Sequence, residues 1–116
     1  MAETILIPGI LESVKRSLGI TKDYTPFDAD VVMHINSSFA VLNQLGVGPD
    51  SPFMIEGYDE TWEDFISQAN TEDVRSYMFM KVKMFFDPPA TSTMYESYQK
   101  MISELEWRMT VAAEED

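Results

Sequence analysis

The sequence predicts an all-α fold: a small helical bundle of four main helices plus one short helix, with a long loop between the second and third helices. Three observations support this prediction. Apolar residues recur three and four positions apart in several segments. Capping residues, or glycine and proline stops, bound most of those segments. A chain of 116 residues suits one hydrophobic core, so we expect a single domain over residues 1–116.

The first two helices are predicted from their apolar stripes and their ends. At the start of the second helix, Thr25 is expected to cap, Pro26 suits the first helical position, and Asp28 stands where a capping box places its acid. The stripe of the first helix is Ile10, Leu11, Val14 and Leu18, and Gly19 stops it. The stripe of the second is Phe27, Val31, Val32, Ile35, Phe39, Leu42 and Leu45, and Gly46 stops it.

The third and fourth helices follow the loop. Thr61 and Asp64 form a predicted cap that leads into a short helix with Trp62, Phe65 and Ile66 on one face. The fourth helix is predicted to start at the segment "NTED" (70–73) and to stop before two prolines. A helix that is apolar on most sides must be buried on most sides. Its stripe is Val74, Met78, Val82 and Phe85, and Tyr77, Met80, Met84 and Phe86 cover other sides.

The last helix is predicted from about Thr93 to about Ala112, with Thr93 and Glu96 as its capping box. Residues 112–116 are expected to form a flexible acidic tail. Two pairs four residues apart favour the helix on its outer side. The pairs are Glu96 with Lys100 and Glu104 with Arg108, and the apolar stripe is Met94, Tyr98, Met101, Ile102, Leu105 and Met109.

Residues that would carry catalysis or bind a metal do not form a recognisable pattern. His34 is the sole histidine, and there are no cysteines. The acidic cluster at 59–64 has a simpler explanation in helix capping. We therefore expect no enzyme activity, no catalytic residue, no metal and no cofactor. No apolar run approaches the roughly 20 residues that span a bilayer, so we expect no membrane association.

The net charge is −12, with 20 acidic residues against 8 basic ones. This charge disfavours nonspecific attraction to nucleic acid. It fits a surface that keeps the protein soluble, a surface that repels DNA, or a small acidic protein that imitates DNA and inhibits a DNA-binding protein. The acids appear mainly at helix starts and in loops, where capping explains several of them, which disfavours imitation of DNA.

The loop at residues 46–60 carries large apolar side chains. A connection longer than about 12 residues without structure of its own is often functional, and interfaces are enriched in aromatics and methionine. We expect this loop or arm to contact a neighbouring subunit or partner, and the alternative is that it folds back over its own helices. The predicted contact residues are Phe53, Met54, Ile55, Tyr58 and Trp62, and Tyr95 and Trp107 are further apolar residues off the main stripes.

Four segments, in this order, carry a family resemblance: "HINSSFAVLNQLGVGP", "ETWEDFI", "YMFMKVKMFFDPP" and "ISELEWRM". The chain resembles the head-tail connector proteins of tailed bacteriophages, the adaptor family that lies below the portal. The resemblance runs from about Ile10 to about Met109, and the order of the segments with the "FDPP" break is more specific than any one of them.

The resemblance implies a structural virion protein that assembles into a ring, commonly a dodecamer, on the portal protein after DNA packaging. The ring would join the DNA-filled head to the tail, receive a tail-completion protein, and line a channel that DNA crosses without specific binding. It would lie in the neck of the virion after synthesis in the host cytoplasm. The family also implies docking to the portal or tail through the C-terminal helix, which points to Trp107, Arg108 and Met109.

Overall fold

The computed structural model describes residues 8–66 and 71–114 and forms five α-helices over those residues. The helices are α1 (Ile10–Ser17), α2 (Asp28–Gln44), α3 (Trp62–Phe65), α4 (Thr71–Phe86) and α5 (Ser92–Glu114). No β-strand is present in the described residues. The prediction of an all-α bundle with four main helices and one short one is confirmed, and residues 46–60 form an irregular connection between α2 and α3.

The fourth helix lies at the centre of the bundle, because α1, α2, α3 and α5 all pack against it. Val74, Tyr77, Met78 and Val82 are completely buried, which explains why α4 is apolar on several sides. The Tyr77 hydroxyl donates a hydrogen bond of 2.8 Å to Glu106 of α5. Burial, and then this bond to the carboxylate, raise the pKa of Tyr77.

Phe85 does not belong to the buried stripe of α4 as predicted. It is 63% exposed. Its ring stacks on His34 with 5.7 Å between the ring centroids, at the rim of the contact between α2 and α4, where no described helix covers it. The prediction was wrong because periodicity does not reveal where the covering helices end.

The second helix begins at Asp28, and its predicted cap does not form. Phe27 occupies the N-cap position without a side-chain hydrogen bond, and the Asp28 amide donates to the carbonyl oxygen of Thr25. The Asp28 carboxylate instead forms an ion pair with Lys15, with 2.7 Å between Oδ1 and the Lys15 Nζ. By contrast, the capping box of Thr61 and Asp64 at the start of α3 is confirmed.

The last helix is longer than predicted and starts earlier. Thr91, rather than Thr93, accepts the hydrogen bond from the Met94 amide, so the helix starts at Ser92 and runs to Glu114. The ion pair between Glu104 and Arg108 forms at 2.9 Å, whereas no ion pair joins Glu96 to Lys100. Residues 112–114 of the predicted tail are helical, while residues 115 and 116, like Asn70 of the predicted α4 start, lie outside the described residues.

Replacing Gly48 by alanine is expected to destabilise the protein by about 2–5 kcal/mol. Its φ of +91° lies in the left-handed region, and a Cβ there would come within 2.5 Å of the Phe65 ring. That ring is buried and packs against Phe39 and Phe53, so it cannot move at low cost. Urea unfolding followed by circular dichroism measures the loss.

Gly46→Ala is the matched control. Gly46 has a similar φ of +81°, but a Cβ there would meet open space. The Gly46→Ala variant should therefore lose about 1–2 kcal/mol of unfolding free energy, from backbone strain alone. Equal losses for the two variants would mean that the contact with Phe65 contributes nothing.

Candidate interaction surfaces

The 46–60 loop is fastened along α2 by its middle residues. The Asn36 side chain accepts a hydrogen bond from the Ile55 amide at 2.8 Å and donates one to the Ile55 carbonyl oxygen at 3.0 Å. Ile55 is 1% exposed. The Phe53 ring packs edge-on against Phe39 at 5.0 Å and against Phe65 at 5.3 Å. The apolar side chains at 53 and 55 thus pack in the core of their own subunit.

The end of the loop is fastened to α1. The Ile10 amide donates to the carbonyl oxygen of Glu60 at 3.0 Å, and the Glu60 carboxylate accepts from the amide of Glu56 at 2.8 Å. The Trp62 indole donates to the Ser13 hydroxyl at 3.2 Å. Glu60 and Asp64 belong to the acidic cluster noted in the sequence. Both accept hydrogen bonds from backbone amides.

A buried lysine joins α1, α2 and the loop, and sequence reasoning did not identify it. The Lys15 side chain is 0% exposed. Its ammonium donates to the carbonyl oxygens of Lys22 and Tyr24 and to the Tyr58 hydroxyl, at 3.1, 2.7 and 2.7 Å. An ammonium has three protons, so Asp28 Oδ1 at 2.7 Å is held as an ion pair. The other Asp28 oxygen accepts from the Tyr58 hydroxyl at 2.6 Å.

This cluster shifts both ionisation equilibria toward the charged forms. Burial by itself lowers the pKa of Lys15, but the Asp28 carboxylate and the Tyr58 hydroxyl outweigh that effect and raise it. Burial likewise opposes ionisation of Asp28, yet Lys15 and the Tyr58 hydroxyl hold the pKa of Asp28 below its ordinary value. The cluster is therefore a charged structural clamp that joins α1, α2 and the loop.

Of the five residues predicted to contact a neighbour, Met54 is the one that the structure leaves open. It is 65% exposed, while Ile55 and Trp62 are buried and Phe53 and Tyr58 pack against the core. The alternative, packing within the chain's own subunit, thus describes four of the five side chains. Contact with a neighbour stays a prediction. Met54 is the side chain of this set that is most accessible for it.

The three residues predicted for portal or tail docking have different surroundings. Trp107 is 68% exposed, whereas Met109 is buried. Arg108 is half exposed and pairs with Glu104 at 2.9 Å and with Asp73 at 3.5 Å. A cleft of about 400 Å³ lies beside Met109, between the end of α5 and the start of the 46–60 loop. Docking through this end of α5 stays a prediction, with Trp107 as its accessible side chain.

The structure exposes two further apolar surfaces. One is an aromatic patch between α2 and α4, where Phe27 and Phe85 are 40% and 63% exposed and His34 and Lys81 lie against the Phe85 ring. The exposed half of α5 consists of residues 92–101, nine of which are exposed while Tyr98 is intermediate. It carries Met94, Tyr95 and Met101 at 49%, 39% and 49% exposure, although Met94 and Met101 belong to the predicted apolar stripe that is buried further along the helix.

The acidic residues include a long stretch without a basic residue. Between Lys22 and Arg75 the chain contains no lysine or arginine. Its acids in that stretch are Asp23, Asp28, Asp30, Asp50, Glu56, Asp59, Glu60, Glu63, Asp64, Glu72 and Asp73. In the loop and α3, Asp50, Glu56, Asp59 and Glu63 are exposed. This part of the surface should therefore repel a polyanion.

The fold and these surfaces define a small all-α protein with apolar surface left open. Within residues 8–66 and 71–114, no three acidic or histidine side chains come together in a group that could bind a metal ion, and none of the described helices is long and apolar enough to cross a membrane. A family model described as "Phage connector protein" matches residues 10–116.

The chain belongs to the phage connector protein family, so its role is structural, in the head-tail connection of a bacteriophage. This family comprises structural virion proteins that are not known as enzymes. Searches of curated proteins and of solved structures gave no match.

Proposed function

We propose that this protein is an adaptor that forms a ring below the portal and joins the DNA-filled head to the tail. The observation that carries the proposal is the family match over residues 10–116. The aromatic patch at Phe27 and Phe85 and the exposed half of α5 support it, because exposed apolar patches are typical of interaction sites. A dodecamer is the ring size that we propose.

The charge distribution fits a ring through which DNA passes. We propose that the acidic surface between residues 23 and 74 contributes to the channel wall, where it would keep the duplex from adhering during ejection. The same charge makes neighbouring subunits repel one another at low salt. Assembly therefore depends on apolar contacts and should strengthen as salt rises.

Docking to the portal is proposed for the end of α5. Trp107 is a large aromatic that lies exposed beside the Arg108 ion pairs, and aromatic and arginine side chains are frequent anchors of interfaces. The opposite side of the ring would receive a tail-completion protein.

Phage particles produced without this protein test the proposal. We expect DNA-filled heads without attached tails and a loss of infectivity of several orders of magnitude, which a plaque assay measures. Electron microscopy of complete particles should place the chain between portal and tail. Infectious particles that lack the chain would contradict the proposal.

The acidic DNA mimic is the second hypothesis, and the stretch from residue 23 to residue 74 is the observation that favours it. It requires exposed carboxylates in a row, but Asp28, Glu60 and Asp64 are engaged within the chain. Competition with DNA for a basic host protein, together with absence from the virion, would support the mimic against the adaptor.

A further inference from the structure

The α5 cleft is a cavity of about 400 Å³ between the end of α5 and the start of the 46–60 loop. This volume lies in the range of about 300–1,000 Å³ that is usual for binding pockets. Its walls include the core residues Val47, Phe65 and Met109, which are 3%, 4% and 4% exposed. Among the described residues that line the cleft, Asp73 alone is charged. The cleft is therefore mostly apolar and has one carboxylate at its wall.

Small residues keep the α5 cleft open on two sides. On the loop side, Gly46 and Gly48 have φ values of +81° and +91°, a conformation that glycine adopts without strain. On the helix side, Ala112 and Ala113 lie three and four residues after Met109, so all three share one side of α5. These residues leave room for a large apolar side chain of another molecule.

The surroundings of the α5 cleft are acidic. Asp73 lines it, and Asp50 and Glu114, which directly follow lining residues in the chain, are exposed. Arg108 lies 3.5 Å from Asp73 and 2.9 Å from Glu104, so two carboxylates already share its guanidinium. These described residues amount to four acids and one cation. The electrostatic potential at the opening should therefore attract a cationic segment and repel DNA.

A second copy of the chain does not match this chemistry. Each copy has a net charge of −12, so two copies repel one another where an acidic surface is approached. Six of the eight lysine and arginine residues form ion pairs within the described part of their own chain. A copy therefore has few free cations to offer, which favours a different protein as the occupant.

We infer that the α5 cleft binds a short segment of the partner protein at this end of the ring, in which a large apolar side chain is flanked by lysine or arginine. The apolar side chain enters beside Phe65 and Met109, and the cations pair with Asp50, Asp73 or Glu114 at the opening. The inference rests on the proposed docking through the end of α5 and specifies the chemistry of the surface that docks there.

A synthetic peptide with a central tryptophan between lysines tests the binding chemistry on the purified chain by calorimetry. Replacing the tryptophan by alanine should raise Kd about tenfold or more, because an apolar anchor in a pocket dominates such a contact. Replacing the lysines by glutamates should have an effect of similar size, and added salt should weaken binding. A tryptophan peptide that binds no more tightly than its alanine counterpart would overturn the inference.

Ala113→Phe fills the cleft without changing the charge around it. This variant should lose the preference for the tryptophan peptide, and its incorporation into particles should fall about tenfold or more. Ser103→Phe is the matched control, because Ser103 is an exposed residue of α5 that does not line the cleft. It should change incorporation by no more than about twofold. Unfolding curves establish that both variants are folded.

The double variant Asp50→Lys/Glu114→Lys tests the same site through exposed side chains alone, so its unfolding curve should match that of the natural protein. We expect weaker peptide binding and about tenfold lower incorporation into particles. Absence of the natural chain from complete particles would overturn the proposed function. Natural chain that is present in particles, with peptide binding and incorporation unchanged by the cleft variants, would overturn the inference alone.

Discussion

Replacing Lys15 by methionine is expected to lower the free energy of unfolding by about 3–5 kcal/mol. The change keeps much of the side-chain volume but removes the ammonium that holds Asp28 and the Tyr58 hydroxyl. It also removes the ammonium donor from the carbonyl oxygens of Lys22 and Tyr24, of which the Lys22 oxygen keeps the Tyr58 hydroxyl at 3.2 Å. The buried Asp28 Oδ1 would lose its ion-pair partner and retain its desolvation cost. Chemical denaturation followed by circular dichroism measures the effect.

Two variants serve as controls for Lys15→Met. Tyr58→Phe removes one hydroxyl from the cluster and leaves the ion pair, so we expect a loss of about 1 kcal/mol. Arg16→Met removes the neighbouring exposed cation, which pairs with Glu12 at 3.0 Å, and should change stability by less than about 1 kcal/mol. A Lys15→Met loss as small as that of Arg16→Met would contradict a structural role for the cluster.

The pH dependence of the same variant follows from the two pKa shifts. The pKa of Lys15 is raised, so its contribution is complete below the ordinary value and is lost as pH rises through the raised pKa. The pKa of Asp28 is lowered, so its contribution is complete above the ordinary value and is lost as pH falls through the lowered pKa. The stability difference between natural protein and variant should therefore be constant from roughly pH 5 to pH 9 and shrink outside that range.

Local signals in the sequence were sufficient to predict the helices and their order. Apolar spacing located α1, α2 and α4, the Thr61–Asp64 box located α3, and two prolines located the end of α4. These signals act over a few residues, so one sequence contains them completely. At the start of α5 the predicted cap was Thr93, whereas Thr91 accepts the hydrogen bond, because local sequence does not identify where the chain enters the helix.

The Lys15 cluster was missed because its partners are distant in the chain. Asp28 and Tyr58 are 13 and 43 residues away from Lys15. One local signal was present: Lys15 lies four residues after Leu11, on the apolar side of a helix, where a charged residue needs a buried partner. The capping pattern at Thr25 and Asp28 explained the acid without that partner, so the signal was not used.

The exposed half of α5 could not be predicted for a related reason. Its stripe looks uniform from Met94 to Met109, yet Ile102, Leu105 and Met109 are buried while Met94 and Met101 are half exposed. The difference arises because α4 and the loop cover one half of the helix. Periodicity predicts which side of a helix is apolar, and the tertiary structure decides which part of that side is covered.

Replacing Ile55 by aspartate is expected to destabilise the isolated subunit by at least about 3 kcal/mol. Ile55 is 1% exposed, and the Asn36 side chain already satisfies its backbone groups. A carboxylate at this position would therefore lose the apolar contacts and enter the core without a partner. Thermal and urea unfolding of the purified subunit measure the loss.

Met54→Asp is the matched variant, one residue away on the same loop. Met54 is 65% exposed, so the subunit should keep its stability within about 0.5 kcal/mol, and any defect should appear in incorporation into particles. Equal destabilisation by the two changes would mean that the loop packs differently from the contacts at Asn36. If Ile55→Asp left the subunit stable and abolished assembly, the apolar part of the loop would belong to the interface between subunits, because only burial against a neighbour would then explain the loss.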